Sequence, residues 1–376
     1  MRALRRTAQY TDAYRPEIEE TLLKKNQLIL GLVVLVILAA LLIWGQSRVH
    51  FDFGVFRAQL ALADWRRIGL ALACIYVGYV IRSARWAMLL RHNKKVSPLS
   101  LVGTQVIGFT AVALIGRVAD LVRPYLVSKK TSLPLSSQIA VYIVERLSDA
   151  GSMALIFSTA IVLSPAGSLP HADLVRKAGY WGLLLTVAGG LFLVAVRLSG
   201  ELIAGFFEKA LGLLSKKAGH AVGHKIRAFR TGLDTMRSFS DFAVLASLSI
   251  LMWLLIAEAY LQTTLAFVNS PELSAMTPGK CVLLMAVSGG ASVIQLPVIG
   301  WFSQIGIVEE AIRRFFGASM EASTACAATL LLVTFLGIVP IGLIWAQFEH
   351  VSLRKIAAES EHAREELGEE DAAAGD

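Results

Sequence analysis

Residues 99–130 read LSLVGTQVIGFTAVALIGRVADLVRPYLVSKK. From Leu99 to Ile115 there is no ionisable side chain. Gly116, Arg117, Asp120, Arg123 and Pro124 then follow in close succession. An apolar run of this length matches the hydrocarbon layer, because a helix rises about 1.5 Å per residue through roughly 30 Å. The whole stretch Leu99–Val127 is about thirty residues, while two helical crossings need about forty. Arg91, Lys94 and Lys95 precede it, and Lys129 and Lys130 follow it. Basic flanks mark the cytoplasmic side. The segment therefore predicts a re-entrant helical hairpin that enters from the cytoplasm, turns near Gly116 and returns. A single crossing would carry Lys129 and Lys130 outside and invert everything downstream.

The rest of the chain fits around that hairpin. Apolar spans are predicted at Leu28–Trp44, Ile68–Leu90, Ile139–Leu163, Gly179–Val196, Phe242–Val268 and Thr324–Gln347. A second interrupted stretch, Cys281–Phe316, carries Gly289, Gly290, Pro297, Gly300 and Gly306. It predicts a second hairpin entering from the opposite side; two full crossings there would leave the parity unchanged. The fold class is thus an all-α integral membrane protein of about six full transmembrane helices plus two re-entrant hairpins. Span, hairpin, span occurs twice in opposite orientation, an inverted-repeat arrangement common among transporters.

Residues 1–27 form a basic N-terminal segment, 28–348 the polytopic membrane domain and 349–376 a charged tail. Both termini are expected in the cytoplasm, and the chain in the cytoplasmic (inner) membrane. Within the domain, residues 197–241 are a basic cytoplasmic loop. Leu202, Ile203, Phe206, Phe207, Leu211 and Leu214 stand against its lysines. That amphipathic pattern suits either helices on an anionic leaflet or a solvated connector.

Composition agrees. Hydrophobic residues make up 55% of the 376 and charged ones 17%, against about 45–50% and 25% in soluble domains; mean hydropathy is +0.61. The net charge of +8 resides in short segments flanking apolar runs, a positive-inside pattern rather than a nucleic-acid surface. Cys74, Cys281 and Cys326 all fall in apolar runs without metal or disulfide spacing. His220 and His224 lack a third ligand, so no metal site and no cofactor are expected. No Walker, Gly-x-Ser-x-Gly or His-Glu-x-x-His pattern occurs, and the chain is not expected to be an enzyme.

Ionisable residues inside apolar spans are costly and mark functional sites or one another's partners. Arg117, Asp120 and Arg123 set one carboxylate between two guanidiniums. That suits a phosphate, because arginine offers planar, bidentate donors; it equally suits a salt-bridge set pinning the hairpin. Glu145 and Asp149, four apart with Arg146 beside them, face something positive, with Arg117 or Arg123 the candidates. Arg82 and Arg85 close their span and read as snorkelling to the headgroups. The second half contributes Glu258, Gln304 and Glu309.

At these residues the chain resembles the flippase-like transmembrane domain of lysylphosphatidylglycerol synthases, over roughly Leu28 to Gln347. A Gly-Arg-x-(Gly/Ala)-Glu-x-x-Arg element of that family is met by Gly116 to Arg123, with Asp120 in place of Glu and Ile115 where Pro is common. A Glu-Arg-x-x-Asp element is met by Glu145, Arg146 and Asp149. A late Gly-x-x-Glu element is met by Gly306 to Glu309, with Ser303 and Gln304 at a usual Gly-Gly pair. The resemblance implies movement of a phospholipid or lipid-linked headgroup between leaflets, with membrane lipids as partners. Arg117, Asp120, Arg123, Gln304 and Glu309 would meet the headgroup, and Glu145, Arg146, Asp149 and Glu258 would support them. The synthases carry an aminoacyl-transferase domain after this region. About thirty mostly charged residues follow here, so that activity is expected to be absent. An ion-coupled transporter of a soluble anion, or a non-transporting partner presenting lipid to a separate enzyme, uses the same charges. Homo-oligomers fit any of these readings.

Overall fold

Asp64 starts the first long helix by accepting the Arg66 backbone N–H at 3.0 Å, an N-cap that satisfies one orphan donor. The computed structural model describes residues 51–165, 172–212, 238–291 and 299–353, with single positions up to 362. The predicted span Leu28–Trp44 and most of the basic loop 197–241 lie outside the described residues. The chain divides after Phe53 into two units, and the account below concerns the second.

The elements are α1 (Phe53–Ala61), α2 (Trp65–Leu90), α3 (Pro98–Ile115), a 3-10 turn (Arg117–Leu121), α4 (Val122–Thr131), α5 (Leu135–Leu163) and α6 (Ala172–Gly212). There follow α7 (Phe239–Leu265), the single turn α8 (Pro271–Ser274), α9 (Pro278–Ala291), α10 (Ile299–Phe316), α11 (Met320–Thr334), a 3-10 turn (Leu336–Ile338) and α12 (Val339–Phe348). Among the described residues there is no strand. The helices α2, α3, α5 and α7 are each long and apolar enough to cross a membrane, and α11 with the helix after it makes a fifth if the bent pair is one span. The span predicted at Gly179–Val196 lies within α6, which kinks at Ser199 (φ −134°, ψ 35°).

The first hairpin turns where the sequence places it. Gly116 adopts φ 93°, a conformation that glycine reaches without a Cβ penalty. Pro124 lies in the first turn of α4, where no intrahelical N–H is lost. The limbs run back to back: Lys94 Nζ donates to the Thr131 carbonyl at 2.7 Å, so the segment ends where it began. Gly103 through Gly108 of α3 are all buried, which is more than one helical turn and so covers every face. The second hairpin closes in the same manner, with Lys280 Nζ 5.8 Å from the centre of the Phe316 ring. Among the described residues a hydrogen bond ties each pair of limbs: Arg123 Nη1 to Gln105 Oε1 at 2.9 Å, and Gln304 Nε2 to Ser288 Oγ at 3.0 Å.

The predicted span Thr324–Gln347 is not one straight helix. It bends by 44° between α11 and the 3-10 turn. Pro340 supplies no N–H to the Leu336 carbonyl and its ring displaces that carbonyl. The Thr334 hydroxyl bonds back to Leu330 at 2.7 Å, which favours bending further. Backbone groups freed inside a membrane must find partners. Tyr76 Oη donates to Gly337 at 2.9 Å, and Thr110 Oγ1 to Ile338 at 3.4 Å.

α2 and α7 lie antiparallel and are fastened at both ends. Asp64 N–H donates to Ala266 at 2.8 Å and Arg67 Nη1 to Gln262 Oε1 at 2.8 Å. At the other end Arg91 and His92 meet Asp241, the residue that completes the capping box of α7. Around this pair the packing has a regularity. Exchange α2, α3, α4 and α5 for α7, α9, α10 and α11–α12. The contact of α2 with α3 then becomes that of α7 with α9, and α3 with α4 becomes α9 with α10. In the same way α4 with α5 becomes α10 with α11, and α3 with α12 becomes α9 with α5.

The α3–α12 contact is close. A Cβ on Gly342 would fall 2.6 Å from Thr110 Cβ, and one on Gly103 would fall on the Trp345 indole. Gly342→Ala should therefore destabilise by about 1–3 kcal/mol, the usual cost of overpacking. Thermal melts in detergent check this, with Gly306→Ala, which meets nothing within 4 Å, as the silent control.

Candidate functional site

Two helices with opposite charge patterns face each other at the centre of the first set of elements. Arg82 and Arg85 lie three apart on α2, and Glu145 and Asp149 lie four apart on α5, so each pair occupies one helical face. Arg85 Nη1 donates to Asp149 Oδ1 at 2.5 Å, and its Nη2 lies 3.3 Å from Glu145 Oε1. Arg82 Nη1 lies 3.3 Å from Asp149 Oδ2 and 3.6 Å from Glu145 Oε1. The first hairpin contributes Arg123, whose Nη1 lies 3.0 Å from Glu145 Oε2. Arg85 and Arg123 are both 0% exposed.

Aromatic rings enclose these charges. The Arg123 guanidinium carbon is 4.5 Å from the Phe109 ring centre, 5.2 Å from Tyr142 and 5.4 Å from Trp86. Arg82 lies 4.9 Å from Phe109, and Arg146 5.0 Å from Tyr142. Ring faces attract cations, and more strongly where water is excluded. Trp86 Nε1 in turn donates to the buried Gln138 at 3.1 Å.

Beside this cluster a cavity of about 280 Å³ opens between the two sets of helices. Arg82, Asp120 and Arg146 line it from one set, Ser288 and Gln304 from the other. Tyr79, Phe109, Trp253, Tyr260, Met285 and Phe335 supply much of its apolar wall. Three cavity residues carry a buried polar atom without a hydrogen-bond partner among the described residues: Arg146 Nε, Trp253 Nε1 and Gln304 Oε1. No carboxylate lies within ion-pair distance of Arg146 among the described residues.

A family model, lysylphosphatidylglycerol synthase TM region, matches residues 28–357 of this chain. The chain belongs to that family. No curated protein and no solved structure matches it. Membership and the apolar helices together make it a multi-pass membrane protein. In this member of the lysylphosphatidylglycerol synthase TM region family, the sequence-predicted residues divide into three groups. Asp120, Arg146 and Gln304 line the cavity. Arg123, Glu145 and Asp149 form the adjoining buried cluster. Glu258 and Glu309 belong to neither. Glu258 accepts Gln262 Nε2 at 2.7 Å, and Glu309 is half-buried with Arg313 3.5 Å away. Arg117 lies in the 3-10 turn, and its side chain is outside the described residues.

Sequence reasoning misplaced Arg82 and Arg85. They do not snorkel; they hold Glu145 and Asp149, joining Arg123, the predicted partner that does meet Glu145. Their three-residue spacing opposite a four-residue pair of acids was the available signal. Gln105 and Ser288, the cross-limb ties, stood as lone polar residues in apolar runs.

Proposed function

We propose that this protein moves a phospholipid, or a lipid-linked headgroup, between the leaflets of the cytoplasmic membrane, without catalysing a covalent step. The observation that carries the reading is the cavity between the two sets of helices, positive at one wall and apolar over most of the rest. A charged headgroup cannot enter hydrocarbon alone. A cavity of about 280 Å³ shelters a headgroup and leaves the acyl chains in lipid. Arg82 and Arg146 meet the phosphate, and Asp120 limits how deeply it settles. Arg123, Glu145, Asp149 and Arg85 brace the wall behind them.

The exchange-symmetric packing supports an inverted repeat, with the hairpin of α3 and α4 entering from the cytoplasm and that of α9 and α10 from outside. Lys94, Lys129 and Lys130 agree in charge with a cytoplasmic entry. In such a repeat, rocking one set against the other opens the cavity to each side in turn.

The test is leaflet exchange. Purified protein in liposomes, carrying a fluorescent phospholipid whose outer-leaflet copies are quenched chemically, should let quenching pass well beyond the outer half. Protein-free liposomes should stop there. Flux of a soluble anion without lipid exchange would replace this reading with that of an ion-coupled transporter. Lipid binding without either flux would leave a lipid-presenting partner.

A further inference from the structure

The chain beyond α12 turns back onto the first hairpin. His350 adopts φ 53°. Val351 N–H donates to the Ala346 carbonyl at 2.8 Å, and His350 N–H to that of Gln347 at 3.1 Å. These two bonds around a left-handed residue make a Schellman turn, which closes a helix and folds the next apolar side chain back on its last turn. Val351 and Ala346 accordingly share one apolar cluster.

The segment after the turn is amphipathic and fitted to α4. Ile356 N–H donates to the Ser352 carbonyl at 3.0 Å. Leu353, Ile356 and Glu359, spaced three apart, are half-buried, while Ser352, Lys355 and Ala358 are exposed, as on the two faces of a surface helix. Val351, Leu353 and Ile356 pack against the cluster that holds Val122 and Leu126 of α4. Two polar contacts fix the ends. Lys130 Nζ donates to Glu349 Oε1 at 2.8 Å, and Tyr125 Oη to Glu359 Oε2 at 2.8 Å.

These contacts bridge the two sets of helices. α4 belongs with α2 and α5, and α12 with α7 and α9. α12 packs on α3 through Gly342 and Trp345, and the segment extends that fastening to the return limb of the hairpin. The cluster it covers also contains Val112 and Phe335, two residues that line the cavity. Rocking one set against the other draws α12 away from α4 and so breaks the contacts of this segment. They are light enough to break: the Lys130–Glu349 pair is partly exposed, and the apolar side chains are only half-buried.

We propose that residues 349–359 are an autoinhibitory latch. Docked on α4, they hold the two sets of helices together at the end that carries Lys129 and Lys130, and their release lets the cavity open. What the latch controls rests on the transport reading; its docking rests on the contacts above.

Two readouts on the full-length protein test it: leaflet exchange in liposomes, and labelling of Met153→Cys, at a cavity-lining position, by a water-soluble maleimide. Cys74, Cys281 and Cys326 are buried and should stay unlabelled. Ile356→Asp sets a charge against the apolar cluster and should raise both rates about tenfold, a shift of one decade toward the undocked state. Ala358→Asp puts the same charge on the exposed face and should change neither. In a separate protein, Tyr125→Cys with Glu359→Cys, joined by a bis-maleimide with a disulfide in its spacer, should stop exchange, and reducing the spacer should restore it. The cross-link decides the matter even where Ile356→Asp fails to fold. Rates unchanged or lowered by Ile356→Asp in a protein that melts with wild type, or exchange that continues through the cross-link, would overturn the latch. Faster labelling in Ile356→Asp without leaflet exchange in any protein would sink transport and spare the latch; exchange indifferent to both the variant and the cross-link would do the reverse.

Discussion

Replacing Glu145 with Gln should destabilise the protein by about 3–5 kcal/mol, the cost of leaving a buried charge without its partner. Of the three guanidiniums around Glu145, Arg82 lies 3.6 Å away and two are held more closely: Arg123 at 3.0 Å through Oε2 and Arg85 at 3.3 Å through Oε1. Both arginines are fully enclosed, so water cannot take over the lost contact. Asp149 still faces Arg85 and Arg82, but Arg123 would keep only Gln105 and its three rings. The loss also loosens the first hairpin, because Arg123 sits on α4 and Glu145 on α5. A thermal melt in detergent, with the yield of monodisperse protein alongside, reads the effect. Lys130→Ala, which removes a partly exposed pair with Glu349, should cost no more than about 1 kcal/mol. Adding Arg123→Gln to Glu145→Gln should recover part of the loss, since the unpaired cation then disappears. A Glu145→Gln protein that melts with wild type would show that the cluster is not what holds the hairpin in place.

The parts of this fold that could be read in the sequence are those governed by local rules. Gly116 announces a turn because only glycine enters φ 93° freely, and lysines on both sides of Leu99–Val127 imply a return to the starting side. The contact of Lys94 with Thr131 is the structural form of that implication. Pro340 was equally visible, yet the apolar run continues past it, and hydropathy does not register a bend. Arg82 and Arg85 could not be assigned locally. Whether an arginine near a span end snorkels or pairs depends on which helix lies beside it, and Glu145 is some sixty residues away. The site was legible as a set of ionisable residues but not as a division of labour. Composition places Arg123 and Arg146 in one class. Only the packing puts Arg123 behind Trp86, Phe109 and Tyr142, and Arg146 at the cavity.

That division predicts that Arg146→Gln should lower leaflet exchange in liposomes by about 10- to 100-fold while the protein still folds. A hydrogen bond to a charged group contributes about 1.5–3 kcal/mol, which converts to that range at 1.4 kcal/mol per decade. Stability should change far less than for Glu145→Gln, because no carboxylate among the described residues lies within ion-pair distance of Arg146, and Glu145, Asp149 and Asp120 act on it only through their longer-range field. What it loses is its contact with the Tyr142 ring 5.0 Å away, about 0.5–1 kcal/mol. Arg82→Gln separates the two effects further. Arg82 lines the cavity and also holds Asp149 at 3.3 Å, so it should lose both exchange and thermal stability. Glu145 and Arg146 are adjacent in sequence, but successive helical residues point about 100° apart. One side chain faces the buried cluster and the other the cavity. Glu145→Gln should therefore fail in the melt, and Arg146→Gln should melt normally and fail in exchange. If Arg146→Gln exchanges lipid at the wild-type rate, the headgroup does not meet this arginine, and the positive wall of the cavity serves the fold alone.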